Sequence, residues 1–311
     1  MEYRTLGKTG LKVSKLAFGG SSLGSVFRSV AEDEGIRAVH TALDHGINLI
    51  DTAPYYGATN AETVLGKALK GVARDRYLLA TKVARFGPGI EDFDFSAGRV
   101  FSSIEESLAR LGVDHFDFIQ VHDIEFGDLD RIVTETIPAL REAQRQGKAR
   151  FIGITGLPVR LFREVMDRTE VDQIQSYCHY CLNDDALADI LPYLDEKRVG
   201  IFNSAPLAMR LLTQEGPPPW HPAPADVVAK CAEAAAYCAS RGADLAKLAL
   251  QFAVANPLIH TTVVGTASPD RILENIRQIE DPLDTALLAK VLEILRPVHN
   301  VTWPSGRPEN N

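Results

Sequence analysis

Short apolar runs alternate with amphipathic stretches along nearly the whole chain. The runs Lys15–Gly19, Asn48–Asp51, Tyr77–Lys82, Phe116–His122, Arg150–Thr155, Val171–Tyr177, Gly200–Ser204 and His260–Val264 suit buried strands and are too short for helices. Between them apolar residues recur at helical spacing, as with Ile36, Val39 and Leu43 in Glu32–His45, or Val100, Ile104, Leu108 and Leu111 in Ser96–Leu111. The same spacing predicts helices over Ala61–Lys70, Leu129–Gln146, Leu161–Arg168, Asp184–Lys197, Ala225–Arg241, Asp244–Asn256, Ser268–Ile279 and Thr285–Leu295. Ahead of the first run, YRTL, Gly7-Lys8-Thr9-Gly10 and LKVS read as a hairpin over Tyr3–Ser14, with glycines supplying turn freedom. The connection Leu211–Pro224 carries Gly-Pro-Pro-Pro-Trp-His-Pro; so much proline precludes regular structure, and loops that long are often functional.

Strands alternating with helices at this spacing predict an α/β fold, a (β/α)8 barrel with the N-terminal hairpin at its bottom and an extra C-terminal helix and tail. A doubly wound sheet is the alternative, but no GxGxxG follows any strand. With no low-complexity linker and no internal repeat, residues 1–311 read as one domain.

Composition narrows the function classes. A chain 45% hydrophobic and 24% charged is globular, and a net charge of −8 leaves no basic footprint for nucleic acid or an anionic membrane. No apolar run approaches the ~20 residues that span a bilayer. The opening MEYRTLGKTG lacks the apolar core of a signal peptide, so a cytoplasmic location is expected. Cys231 and Cys238, seven apart in an Ala-rich pattern, are expected on one buried helix face. Cys178 and Cys181 form a nominal CxxC, but no second ligand pair has metal spacing, so packing is expected and no metal.

In a barrel of this kind, active-site residues sit where strands end. Three successive predicted strands end at Asp51, with Tyr56 just beyond, at Lys82 and at His122. Tyrosine is a poor base near neutrality, and a close ammonium lowers its pKa. An aspartate would hold the lysine, and a histidine would hydrogen-bond the reacting oxygen, a set suited to proton transfer at a carbonyl or carbinol. Taken singly, such a lysine is usually a solvated charge and such a histidine a satisfied rim residue.

Asp51-Thr52-Ala53-Pro54-Tyr55-Tyr56-Gly57, Lys82 in LATK and His122 in QVH resemble the Asp/Tyr/Lys/His tetrad of the aldo-keto reductases. The resemblance covers essentially the whole chain, from RTLGKTGLKVS to GTASPDRILEN, which is similar to the family's adenosine-phosphate loop and helix. The strings GSVF, HDIEFG, ETIPAL, FIGITGLP, SYCHY, GPPPWHPA and VTWPSG are similar to sugar-oxidising members of plant type. The resemblance implies an NAD(P)-dependent oxidoreductase with Tyr56 as general base and acid, Lys82 lowering its pKa, Asp51 orienting Lys82 and His122 holding the sugar oxygen. It implies cofactor contacts from Gly20, Thr155, Gln175, Ser204, Pro206, Leu207, Gly265, Thr266, Arg271, Glu274 and Asn275.

Some of these positions depart from the family pattern. Thr155-Gly156 replaces the usual Ser-Asn that holds the carboxamide, and Ser204 replaces a stacking tyrosine. Gly265 replaces the lysine that meets the 2′-phosphate of NADP, which favours NAD over NADP. Ser268 and Asp270 suit a helix cap near phosphate. For the substrate, Tyr56, His122, Asp123 and Trp220 are the candidates, and Arg85 and Phe86 are placed to line the mouth. The expected reaction is NAD-dependent oxidation of a free aldose at C1, first L-galactose to L-galactono-1,4-lactone; L-fucose and D-arabinose share much of that configuration. The alternatives are an NADPH-dependent carbonyl reductase and a non-catalytic nucleotide-binding subunit. A monomer is the default and a dimer the other option.

Overall fold

The computed structural model describes residues 1–26 and 28–311; position 27, the end of the GSVF string, lies outside the described residues. The strands are β1 (Tyr3–Thr5), β2 (Lys12–Ser14), β3 (Leu16–Gly19), β4 (Leu49–Asp51), β5 (Leu78–Val83), β6 (Phe116–Val121), β7 (Ala149–Gly156), β8 (Gln173–Tyr177), β9 (Gly200–Ser204) and β10 (Thr261–Gly265). β3 to β10 close into a parallel barrel, β10 pairing β3, as the alternation of apolar runs and helices predicts.

The hairpin β1–β2 pairs Tyr3 with Ser14 and closes the bottom. Leu6 and Val13 are fully buried there against the inward-facing Leu49, Ala80, Phe118 and Phe202. Gly200 makes room, because a Cβ on it would lie 2.7 Å from Leu6 Cγ. Around this end, buried carboxylates tie strands to loops. Asp117 accepts from Arg74 and Arg150, each at 2.7 Å, and from the Leu79 N–H, while Asp172 accepts from Arg141 and the Ile152 N–H. Conserving strand register here leaves the opposite end free to carry chemistry.

Proline moves the predicted helix boundaries. The stretch predicted as one helix over Leu129–Gln146 contains a π segment, Ile132–Thr136, before Ile137–Arg145. Pro138 has no N–H for a regular ladder, and the Ile137 N–H reaches back to the Ile132 carbonyl. Asp184–Lys197 resolves into a 3-10 turn, Ala186–Ile190, and a short helix, Leu191–Glu196, that restarts at Pro192. The helix expected from Leu161 begins at Val159, directly after Pro158. Leu211–Pro224 has no regular structure, as its prolines require.

Helices Ala225–Ser240 and Thr285–Leu295 pack together outside the barrel, burying Val227, Cys231, Ala234, Cys238, Val291 and Leu295 in a second apolar cluster. Cys178 and Cys181 belong to the same cluster, their thiols pushed up by burial, so they are packing residues with no tendency to form thiolate. Among the described residues no group of three or more His, Cys, Asp or Glu is arranged to hold a metal, and no helix is long and apolar enough to cross a membrane.

Arg4 joins the hairpin to the last repeat. Its guanidinium donates to the carbonyls of Val254, Asn256 and Ile259 at 2.9, 2.8 and 2.5 Å, satisfying the C-terminal end of helix Leu245–Ala255. Arg4→Ala is therefore expected to lower unfolding free energy by about 1–3 kcal/mol in urea titration without moving the cleft at the other end. An unchanged midpoint would show that solvent caps this helix equally well.

Candidate active site

Strand register brings the predicted residues together. Asp51 ends β4 opposite Ala80 of β5, and Lys82, two residues further, faces the same interior side. Lys82 Nζ lies 2.7 and 2.8 Å from the two Asp51 carboxylate oxygens and 2.8 Å from the Thr52 carbonyl, so all three of its N–H donors are used. Tyr56 lies in the turn after β4 and its ring centroid is 5.3 Å from that ammonium. His122, directly after β6, meets Tyr56 and Tyr55 edge-on at 5.8 and 5.9 Å between ring centroids.

Two titrating groups differ from simple expectation. The Tyr56 phenol is not drawn down; burial first, and then the carboxylates of Asp51 and Asp123, hold its pKa well above the ordinary tyrosine value. Lys82 does not offset this, because its charge is matched by Asp51. Burial pushes His122 down to about 3, with the cations Lys82 and Arg85 adding to the effect against Asp123, so the imidazole is neutral. Its Nδ1 is buried without a hydrogen-bond partner among the described residues, and Nε2 stands 3.8 Å from Asp123 Oδ2, beyond bonding reach. A neutral imidazole with uncommitted nitrogens is ready to bind a substrate oxygen.

These groups form the foot of a cleft of about 720 Å³ at the C-terminal ends of the strands. Of the expected cofactor positions, Thr155, Gln175, Ser204, Pro206, Leu207, Gly265 and Thr266 line it. Gly20 does not; it packs behind the wall, where a Cβ would lie 3.0 Å from the Asp51 carbonyl, and Ser21 and Ser22 face the cleft instead. Arg271, Glu274 and Asn275 lie off the wall on helix Pro269–Glu280, with Arg271 paired to Glu274 at 2.8 Å. Ser268 caps that helix through the Arg271 N–H, as predicted.

The departures at the carboxamide end have a structural explanation. Gly156 lacks a side chain because the space is taken: a Cβ there would come 3.0 Å from Glu125 Oε2. The Thr155 hydroxyl is committed to Asp123, accepting its backbone N–H at 2.9 Å and donating to Oδ1 at 3.2 Å. Gln175 donates to Ser204 Oγ at 2.8 Å and Asp51 Oδ2 at 3.2 Å, leaving its Oε1 buried and unpartnered among the described residues. That orphan acceptor fits an amide donor from a nicotinamide carboxamide.

Of the substrate candidates, Asp123 is paired with Arg85 at 2.5 Å, and Arg85 sits over the rings of Tyr55, Phe93 and Phe126. Phe86 is not at the mouth; it lies under Arg99. Trp220 is on the cleft rim, 54% exposed, stacked on His221, which meets Trp303 edge-on. Sequence reasoning assigned no role to Arg28, Tyr177, Met209, Arg210, Trp303 and Ser305, all of which line the cleft. Isolated loop residues carry no periodic signal, although positive φ at Ala205, Ala208, Met209 and Arg210 marks a strained run beside the cleft.

Comparison with known proteins bears on the fold and the family. The model of the Aldo/keto reductase family matches residues 15–296. The chain is 50% identical to "L-galactose dehydrogenase" of Arabidopsis thaliana, over 100% of this chain and 99% of that one, and 31% identical to "D-arabinose 1-dehydrogenase" of Saccharomyces cerevisiae, over 95% of each. Its fold is similar to that of an aldo-keto reductase from Bacillus halodurans in holo form, with a TM-score of 0.81, 29% identity and 99% of both chains covered.

The geometry makes the ion pair the energetic hinge of the cleft. Lys82→Met strands a buried carboxylate and is expected to cost roughly 3–5 kcal/mol in urea unfolding. Asp51→Asn combined with Lys82→Met is expected to cost clearly less than the sum of the two single changes. Additive losses would show that the two charges are not coupled.

Proposed function

This chain belongs to the aldo/keto reductase family, and from that premise we propose that it is an NAD-dependent aldose 1-dehydrogenase, oxidising L-galactose or a sugar of similar configuration to its lactone. The observation that carries the reading is the meeting of Tyr56 and neutral His122 above the buried Lys82–Asp51 pair. The names of the two sugar dehydrogenases it resembles supply the substrate class.

The catalytic work of the chain's own residues follows from their charges. His122 hydrogen-bonds the anomeric oxygen and, being neutral, adds no charge to it. Tyr56, once ionised, takes the hydroxyl proton; in the reverse direction its phenol returns it. Asp51 and Thr52 fix Lys82 beneath the ring, so the pair keeps its geometry while Tyr56 exchanges its proton. NAD, its carboxamide held by Gln175 and Ser204, would supply the hydride acceptor, C1–H leaving with its electron pair as the C1–O bond becomes the lactone carbonyl. The preference for NAD over NADP is supported by Gly265, which offers no cation, and by Arg271, whose guanidinium is already matched by Glu274.

Initial rates of NADH formation with L-galactose, L-fucose and D-arabinose, repeated with NADP, test the assignment directly. Turnover of L-galactose with NAD is expected; silence with every sugar by protein that still binds NAD would favour carbonyl reduction or a non-catalytic role. Tyr56→Phe is expected to lower kcat by roughly 10²–10⁴-fold while NAD binding persists. Because Tyr56 is held protonated above the ordinary tyrosine range, oxidation should climb with pH through neutrality and on into that range. A plateau near neutral pH would show that another group is the base. Glu274→Gln, which frees Arg271, is expected to raise kcat/KM with NADP roughly tenfold; no change would place the nucleotide's 2′ end elsewhere.

A further inference from the structure

Glu125 is fully buried beside the cleft and has no part in the chemistry above. Three groups from three segments converge on its Oε1: the Leu157 N–H at 3.2 Å, the Tyr177 hydroxyl at 3.1 Å and the Ser305 hydroxyl at 3.0 Å. Oε2 is buried with no partner among the described residues. The backbone of the same residue grips the tail, its carbonyl accepting from the Arg307 N–H and the Asn310 amide, each at 2.9 Å. The Asn310 amide also donates to the Gly127 carbonyl. Gly306 has φ +80°, and a Cβ on it would lie 2.2 Å from the Glu125 carbonyl oxygen, so the tail crosses in direct contact.

We propose that Glu125 is a positioning residue that acts as a neutral acid, fastening the C-terminal tail so that Tyr177, Trp303 and Ser305 form a fixed wall against the sugar. The sugar-binding half of this inference rests on the function proposed above; the fastening of the tail does not. A buried carboxylate with one oxygen undonated and no cation paired to it would carry a large desolvation cost, which the neutral form avoids. Burial, followed by the nearby Asp123 carboxylate, pushes the acid up to about 8.

The groups that face it share this neutrality or are already matched. Asp123 on its own loop is paired with Arg85, and the Tyr177 phenol from β8 is also pushed up. On the tail, Arg307 turns its guanidinium to Glu309 at 2.6 Å. On helix Val159–Met166, Arg160 spends its guanidinium on Glu164 and on the Glu309 and Asn311 carbonyls. Because the docked acid lies above the ordinary carboxylate range, docking is strongest when it is protonated in both states. It weakens as pH climbs towards about 8, where the docked acid loses its proton.

Peptide-resolved hydrogen exchange of residues 299–311, without sugar and corrected for the intrinsic pH dependence of exchange, is run beside steady-state kinetics. In the wild type, tail exchange and the sugar KM should both rise as pH climbs from the ordinary carboxylate range to about 8, and level off above it. Glu125→Gln, which mimics the neutral acid, should keep the low-pH behaviour at every pH. Glu125→Ala should release the tail and raise the sugar KM roughly tenfold, with kcat and the Kd for NAD within about twofold. Ser305→Ala should shift both readouts the same way by a smaller factor if Glu125→Ala does not fold. A tail equally protected in Glu125→Ala, or a Glu125→Gln variant that behaves like Glu125→Ala, would overturn the proposal. Released tails with no sugar turnover in the wild type would instead overturn the assigned substrate and leave the fastening intact.

Discussion

A lysine and an aspartate inside a barrel stay charged only if each finds the other, and the rest of the cleft depends on that meeting. Lys82 and Asp51 are 1% and 2% exposed, so neither has water to fall back on. The pairing of Asp51 with Ala80 puts Lys82 at the right height, and period-two alternation turns Ala80 and Lys82 to the interior together. Thr81, between them, points outward and donates to buried Glu62 at 2.6 Å, whose other oxygen accepts from Arg110 at 2.7 Å. A slip of β5 by one residue would send the ammonium into the helices and the threonine into the cleft. Register is therefore also what aims Tyr56, because its turn leaves the same strand that carries Asp51.

The parts of this arrangement written in periodic signals were legible in the sequence. Apolar runs ending in Asp51, Lys82 and His122 predicted the barrel and put three cleft residues within one position of the observed ends of β4, β5 and β6. Helix positions were legible and their boundaries less so, because Pro138, Pro158 and Pro192 break ladders at points that periodicity does not register. Gly20 was expected to face the cofactor and instead packs against β4; glycine announces close backbone approach but not from which side.

What stayed illegible is the set of contacts made between loops. Glu125, Tyr177 and Ser305 are far apart in sequence and meet only in the fold, Ser305 because the tail returns past Glu125 and carries Trp303 to the cleft wall with it. Even the sense of a recognised position changed on folding. Thr155 and Gln175 both stand as expected cofactor contacts; the Thr155 hydroxyl is spent on Asp123, and of the two it is Gln175 that keeps an unpartnered acceptor, Oε1. Side-chain type was readable; which of its hydrogen bonds remained free was not.

The electrostatic economy of the cleft follows from burial. Charges survive where a partner stands within bonding distance, as with Lys82–Asp51 and Arg85–Asp123; groups without one, His122, Tyr56 and Glu125, are held in their neutral forms by the same desolvation. The consequence is a site that presents hydrogen-bonding groups but little unbalanced charge, which suits the neutral sugar proposed as its substrate. In the proposed reaction, a sugar hydroxyl loses its proton to Tyr56 directly above an ion pair that is already fixed. A pair already fixed needs no reorganisation as that proton moves, which is how a buried and fully satisfied ion pair can serve the proposed reaction instead of being merely costly to the fold.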